Sequence, residues 1–63
     1  MYLVIDNKEA SEMAFEGTIT SLLRHLNIMR EEVVVKLNGK LAPETSQIQG
    51  EDLVEIIKVV FGG

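Results

Sequence analysis

Cysteine is absent from the chain, which excludes disulfide bonds and thiolate metal sites together. No stretch approaches the roughly 18 apolar residues that span a bilayer, and the first residues lack the basic segment followed by an apolar one that marks an export signal. A cytoplasmic protein without membrane contact is expected. Basic residues are few and scattered: Lys8, Arg24, Arg30, Lys36, Lys40 and Lys58 stand against 10 acidic side chains, for a net charge of -4. Phosphate backbones are bound by clustered Lys and Arg, so nucleic acid is not an expected partner. The acidic balance suits a basic protein surface better.

Catalytic groups are equally scarce. His25, the one histidine, has no Asp close to it in sequence and reads as a surface residue. Ser11, Ser21 and Ser46 have no neighbouring base to activate them. The adjacent carboxylates Glu31-Glu32 and Glu51-Asp52 would point apart in a strand or turn and read as solvated charge. With no phosphate loop and no metal cluster, the chain is not expected to be an enzyme or to bind a metal or cofactor of its own.

What is present is a strongly patterned chain of 63 residues, 46% of them hydrophobic. That is one domain, with a core small enough to be marginal without staples. Met1 to Ile5 is an apolar run in which Met1, Leu3 and Ile5 would share one face of a strand. Asp6, Asn7 and Lys8 make a turn, and Glu9 to Glu16 then alternates Glu12 and Glu16 with Met13 and Phe15, predicting a second strand and hence a hairpin. Gly17 ends that strand, and Thr18 is suited to cap a helix from Ile19 to about Leu26. Ile19, Leu22, Leu23 and Leu26 fall at i, i+3, i+4 and i+7, a complete apolar stripe. Asn27 is suited to the left-handed residue that lets Ile28 fold back on Leu23.

After a connection over Met29 to Glu31, Glu32 to Leu37 predicts a buried strand with Val33, Val35 and Leu37 on one face. Asn38-Gly39 suits the two positive φ angles of a type I′ turn, so the chain should reverse into a short strand of Lys40, Leu41 and Ala42 that Pro43 ends. Glu44 to Gln49 reads as a loop pinned by Ile48, Gly50 starts the final turn, and Leu53 to Phe61 predicts the last strand. One helix on one face of a four- to five-stranded sheet is an α+β fold.

The last two residues, Gly62 and Gly63, follow that strand almost directly. Glycines at a chain end would by themselves read as a frayed terminus. Their placement where order should stop makes them a thin, side-chain-free stem carrying a carboxylate. The expected division is therefore a folded domain over 1–61 and a flexible tail over 62–63.

This element order, with Asn38-Gly39 after Val33 to Leu37 and Val54-Glu55-Ile56-Ile57 leading to Gly62-Gly63, resembles the ubiquitin-like β-grasp proteins. Within them it is most similar to the small sulfur carriers: the thiamin-pathway carrier (ThiS), the molybdopterin-synthase small subunit (MoaD), the ubiquitin-related modifier and the small archaeal modifiers. The resemblance covers the whole chain. Its most specific part is the pattern Gly-Asp, one residue, Val-Glu-Ile, a short apolar tail and Gly-Gly, met here by Asp52, Val54, Glu55, Ile56, Gly62 and Gly63. Glu51 stands at the first glycine of that pattern, with Gly50 one residue earlier. The helix start Gly17-Thr18-Ile19 and the Leu22-Leu23 pair are similar to ThiS.

The resemblance implies a mixed β-grasp sheet and a C-terminal carboxylate, that of Gly63, which a ubiquitin-activating-type adenylyltransferase adenylates with ATP. A sulfur donor then displaces AMP to leave a thiocarboxylate. A sulfur-accepting synthase would take the sulfur into thiamin thiazole, molybdopterin or tRNA thiolation. ATP and the sulfur donor belong to the partner enzyme. Conjugation through Gly63 to lysines of target proteins is the alternative within the same family, and a β-grasp interaction domain without tail chemistry is the third possibility. An α-carboxylate is ionised at neutral pH, and residues without a Cβ pass a narrow channel at any φ and ψ it demands. Alternation back from the tail places Glu55, Ile57, Val59 and Phe61 on the sheet face away from the helix, joined by Val34. Ile57, Val59, Phe61 and Val34 are therefore the expected partner-binding residues, with Phe61 as the anchor.

Overall fold

A computed structural model describes residues 1–59. β1 (Tyr2–Ile5) and β2 (Ser11–Glu12) pair antiparallel across the turn at Asp6 and Asn7. Both turn residues have positive φ, 52° and 58°, and the Lys8 N–H closes the turn on the Ile5 carbonyl at 3.1 Å. Asp and Asn tolerate that conformation because their short side chains hydrogen-bond locally. β2 is only two residues long, although burial alternates from Glu12 through Glu16 as a strand would require. The correction to the expected strand over Glu9 to Glu16 has a clear cause. After Met13, whose amide donates to the Met1 carbonyl at 2.9 Å, the chain leaves β1, and Gly17–Thr18 becomes β3 in a separate two-stranded sheet.

β3 leads directly into helix α1 (Ile19–His25). Thr18 caps it, its Oγ1 accepting the Ser21 N–H at 3.1 Å. The first-turn donors have no partner within the helix. Two of them are met by a segment distant in sequence: the Ile19 N–H donates to the Ser46 carbonyl and the Thr20 N–H to the Glu44 carbonyl, both at 3.0 Å. At the other end Asn27 takes φ 60°. Its N–H reaches the Arg24 carbonyl at 3.1 Å, and the Ile28 N–H reaches the Leu23 carbonyl at 2.9 Å. This is the paired closure of a Schellman motif.

A single 3₁₀ turn (Arg30–Glu32) leads to β4 (Val33–Leu37). β4 reverses through Asn38 and Gly39, with φ 52° and 85°, into β5 (Lys40–Leu41). Ala42 lies beyond β5 but still donates to the Val35 carbonyl at 3.1 Å. The stretch expected as a loop contains β6 (Gln47–Ile48), which pairs antiparallel with β3 and buries Ile48. β7 (Leu53–Lys58) closes the fold. It ends earlier than the expected Leu53 to Phe61, and Val60 and Phe61 lie outside the described residues.

The main sheet has the order β2-β1-β7-β4-β5, with β1 and β7 parallel and the other neighbours antiparallel. β7 therefore sits at the centre, bonded on both edges. Its inward residues Val54 and Ile56 are fully buried, in one core cluster with Ile19, Leu22, Leu23, Leu3, Val35 and Ile48. Each such side chain contributes about 1.5 to 3 kcal/mol by leaving water. The helix covers one face of this sheet and leaves the other open.

Candidate functional site

β7 is held at its start by two polar side chains. Asn38 uses both ends of its amide there: Oδ1 accepts the Leu53 N–H at 2.9 Å, and Nδ2 donates to Asp52 Oδ1 at 3.1 Å. The other Asp52 oxygen accepts the Gln49 N–H at 3.0 Å. These hydrogen bonds, first that from the Gln49 amide and then that from Asn38, hold the Asp52 carboxyl below its ordinary pKa. Asp52 is thus a brace between two turns, which corrects its reading as solvated charge. Glu51 is exposed as expected.

Along the open face, β7 presents Leu53, Glu55 and Ile57, all half-buried. Register brings their neighbours to them: Val34 lies opposite Ile57, Lys36 opposite Glu55, Val4 beside Glu55 and Tyr2 beside Leu53. Val34 and Tyr2 are 37% and 38% exposed. Leu41, opposite Lys36 on β5, is 69% exposed. Two apolar pairs, Tyr2–Leu53 and Val34–Ile57, therefore lie on this face, separated by Glu55 and Lys36. Exposed apolar side chains grouped on one face make it a candidate contact surface.

At its far end β7 is clamped from both sides. The Lys58 N–H donates to Asp6 Oδ1 at 2.8 Å on the β1 side, and the Val59 N–H donates to the Glu32 carbonyl at 2.9 Å on the β4 side. Val59, one residue past the strand and 38% exposed, lines a hollow with Asn27, Ile28, Met29, Glu32 and Val33. Of the residues expected to bind a partner, the structure brings Val34 and Ile57 together and sets Val59 at the sheet's end. Phe61, Gly62 and Gly63 lie outside the described residues.

β7 ends at Lys58, five residues before Gly63. A sequence model of the ThiS family matches residues 4–63, a span that includes both terminal glycines. The chain belongs to the ThiS family. Its fold is similar to the crystal structure of the thiamine biosynthesis protein ThiS from Geobacter metallireducens. The TM-score is 0.68 at 28% identity, and both chains are covered completely. It is also similar to the solution structure of a thiamine biosynthesis protein from Geobacter metallireducens. There the TM-score is 0.65 at 28% identity, covering 100% of this chain and 88% of that one.

As a ThiS-family protein the molecule has the ubiquitin-like β-grasp: a mixed sheet grasping a helix, as the five-stranded order and the one α-helix among the described residues show. The sequence reading did not single out Tyr2, Leu53 or Leu41 on the open face. The alternation of Tyr2 and Val4 against Leu3 and Ile5 carried the signal for the first, but only the β1–β7 pairing sets Tyr2 beside Leu53. His25 is exposed as expected and packs its ring against Phe15, with centroids 5.9 Å apart. Among the described residues no group of three His, Asp or Glu is placed to hold a metal ion. No helix among them is long and apolar enough to cross a membrane.

Proposed function

We propose that this ThiS-family chain is a sulfur carrier of thiamin biosynthesis, activated at the carboxylate of Gly63. The observation that carries this reading is the family match through Gly62 and Gly63, joined to a central strand whose last described residues are fastened on both edges. The likeness to the Geobacter thiamine biosynthesis protein supports the pathway. The ionised carboxylate attacks the α-phosphorus of ATP, pyrophosphate leaves, and an acyl adenylate forms. A sulfide-level donor then attacks the acyl carbon, AMP leaves, and the thiocarboxylate remains. The chain presents the reacting group, and the partner adenylyltransferase supplies nucleotide binding and catalysis.

The open sheet face is the surface that docks to that partner, through Ile57, Val34 and Tyr2 with Phe61 and Val59 beyond the strand. Central apolar and aromatic side chains dominate such interfaces. The test is intact mass after incubation with ATP, the organism's own activating enzyme and a sulfide source. Exchange of one oxygen for sulfur is expected. An unchanged mass overturns the carrier reading, and products joined to lysines of other proteins would make the chain a modifier instead.

A further inference from the structure

The end of β7 is bonded in a way the strand ladder does not explain. β1 and β7 run parallel, with Val4 beside Glu55 and Ile5 beside Ile56. In a parallel pair every second residue of one strand bonds back and forward to two residues of the other, here Tyr2, Val4 and then Asp6. Continued by one step, that register makes the Asp6 N–H donate to the Ile56 carbonyl and the Asp6 carbonyl accept from the Lys58 N–H. The first of these bonds is present at 2.8 Å. For the second, Asp6 has already turned into the left-handed conformation, φ 52°, and its side-chain Oδ1 accepts the Lys58 N–H at 2.8 Å instead. The carboxylate thus stands in for a main-chain carbonyl and prolongs the ladder past the end of β1.

We propose that Asp6 is a positioning residue for activation of the tail: its carboxylate fastens Lys58 to the sheet and so fixes the point and direction from which the segment carrying Gly63 reaches the partner. Two demands meet at this position, a short acceptor and tolerance of positive φ. Asp and Asn satisfy both. Glycine satisfies only the second, and glutamate carries its acceptor one methylene too far. The opposite edge is already bonded through Val59 to Glu32. Asp6 therefore decides whether the exit is held on two sides or one. The inference rests on the carrier reading, because the tail needs aiming only if a partner must take it up.

The test compares Asp6→Gly with Asp6→Asn. By hydrogen exchange, the Lys58 amide should lose protection in the glycine variant and keep it in the asparagine variant, since exchange reports local opening. In adenylation by the organism's activating enzyme, Asp6→Gly should raise the KM for the carrier about tenfold. That is the factor for leaving roughly one backbone residue to be ordered on binding. At saturation kcat should be unchanged, and Asp6→Asn should restore the KM. Urea unfolding confirms that both variants are folded, and loss of stability alone would not move the KM of a folded carrier. A wild-type KM in Asp6→Gly, or an asparagine variant as impaired as the glycine one, overturns the proposal. So does Lys58 exchange that is equal in wild type and Asp6→Gly. If the wild-type chain is not adenylated at all, the carrier reading falls, and the exchange experiment still decides whether Asp6 holds Lys58.

Discussion

The two faces of β7 share one backbone and one set of ladder bonds, yet they differ completely in what covers them. Val54 and Ile56, facing the helix, are 0% exposed, whereas Leu53, Glu55 and Ile57, facing away, are half-buried. The cause is the size of the cover. A helix of seven residues is about 10 Å long, enough to shield one face of the sheet over its centre and nothing more. Apolar residues on the shielded face hold the fold together. Those on the other face contribute less to folding and remain available for contact.

The sharpest way to separate chemistry from packing is to delete Gly63. Activation by ATP and the partner enzyme should vanish, because the carboxylate no longer reaches the nucleotide. The urea midpoint should stay at the wild-type value, since among the described residues the buried core runs from Met1 to Ile56. Residual adenylation, or a lower midpoint, would show that tail and core are not independent. On the shielded face, Ile56→Ala should cost about 2 to 5 kcal/mol of folding stability, the usual range for a large-to-small change in a packed core. That is a large part of the roughly 5 to 15 kcal/mol typical of a domain. A midpoint within error of wild type would mean that the core is misassigned.

One residue along, Ile57→Ala inverts the pattern. Affinity for the activating enzyme, measured by calorimetry, should fall about thirtyfold, equivalent to roughly 2 kcal/mol at an interface anchor. Stability should change by less than about 1 kcal/mol. Equal affinities would move the docking surface elsewhere. The smallest effect belongs to the start of the strand. The folded pKa of Asp52 is depressed by the Gln49 and Asn38 hydrogen bonds. Its stabilising contribution is therefore complete above the unfolded value near 3.9 and is lost as pH falls through the lower, folded value. Asp52→Asn should be less stable than wild type at neutral pH, and the difference should narrow below about pH 4. Urea midpoints from neutral to acid pH would test this, and a gap that stays constant would show that the brace carries no charge dependence.

Much of the fold was readable from residues close together in the chain. Thr18 and Asn27 mark both helix ends because capping is settled within a few residues, and the observed bonds from Ser21, Asn27 and Ile28 are the ones those residue types favour. Asn38-Gly39 specified a two-residue reversal in the same local way. The inward set of β7 followed from strict alternation. Of the residues expected to dock, Val34 and Ile57 lie side by side, while the Tyr2–Leu53 pair on the same face, beyond Glu55, follows from a pairing no local pattern indicates.

The sequence alone determined the number and order of the main elements, the two helix caps, the hairpin turn and which side of each long strand is apolar. These depend on interactions spanning only a few residues. Only the tertiary structure decided that Gly17–Thr18 pairs with Gln47–Ile48, that β1 lies parallel to β7, and that Asp6 fastens Lys58 from 52 residues away. A two-residue strand has too few positions to show a period. A carboxylate that replaces a backbone carbonyl is an ordinary turn residue until its distant donor is beside it.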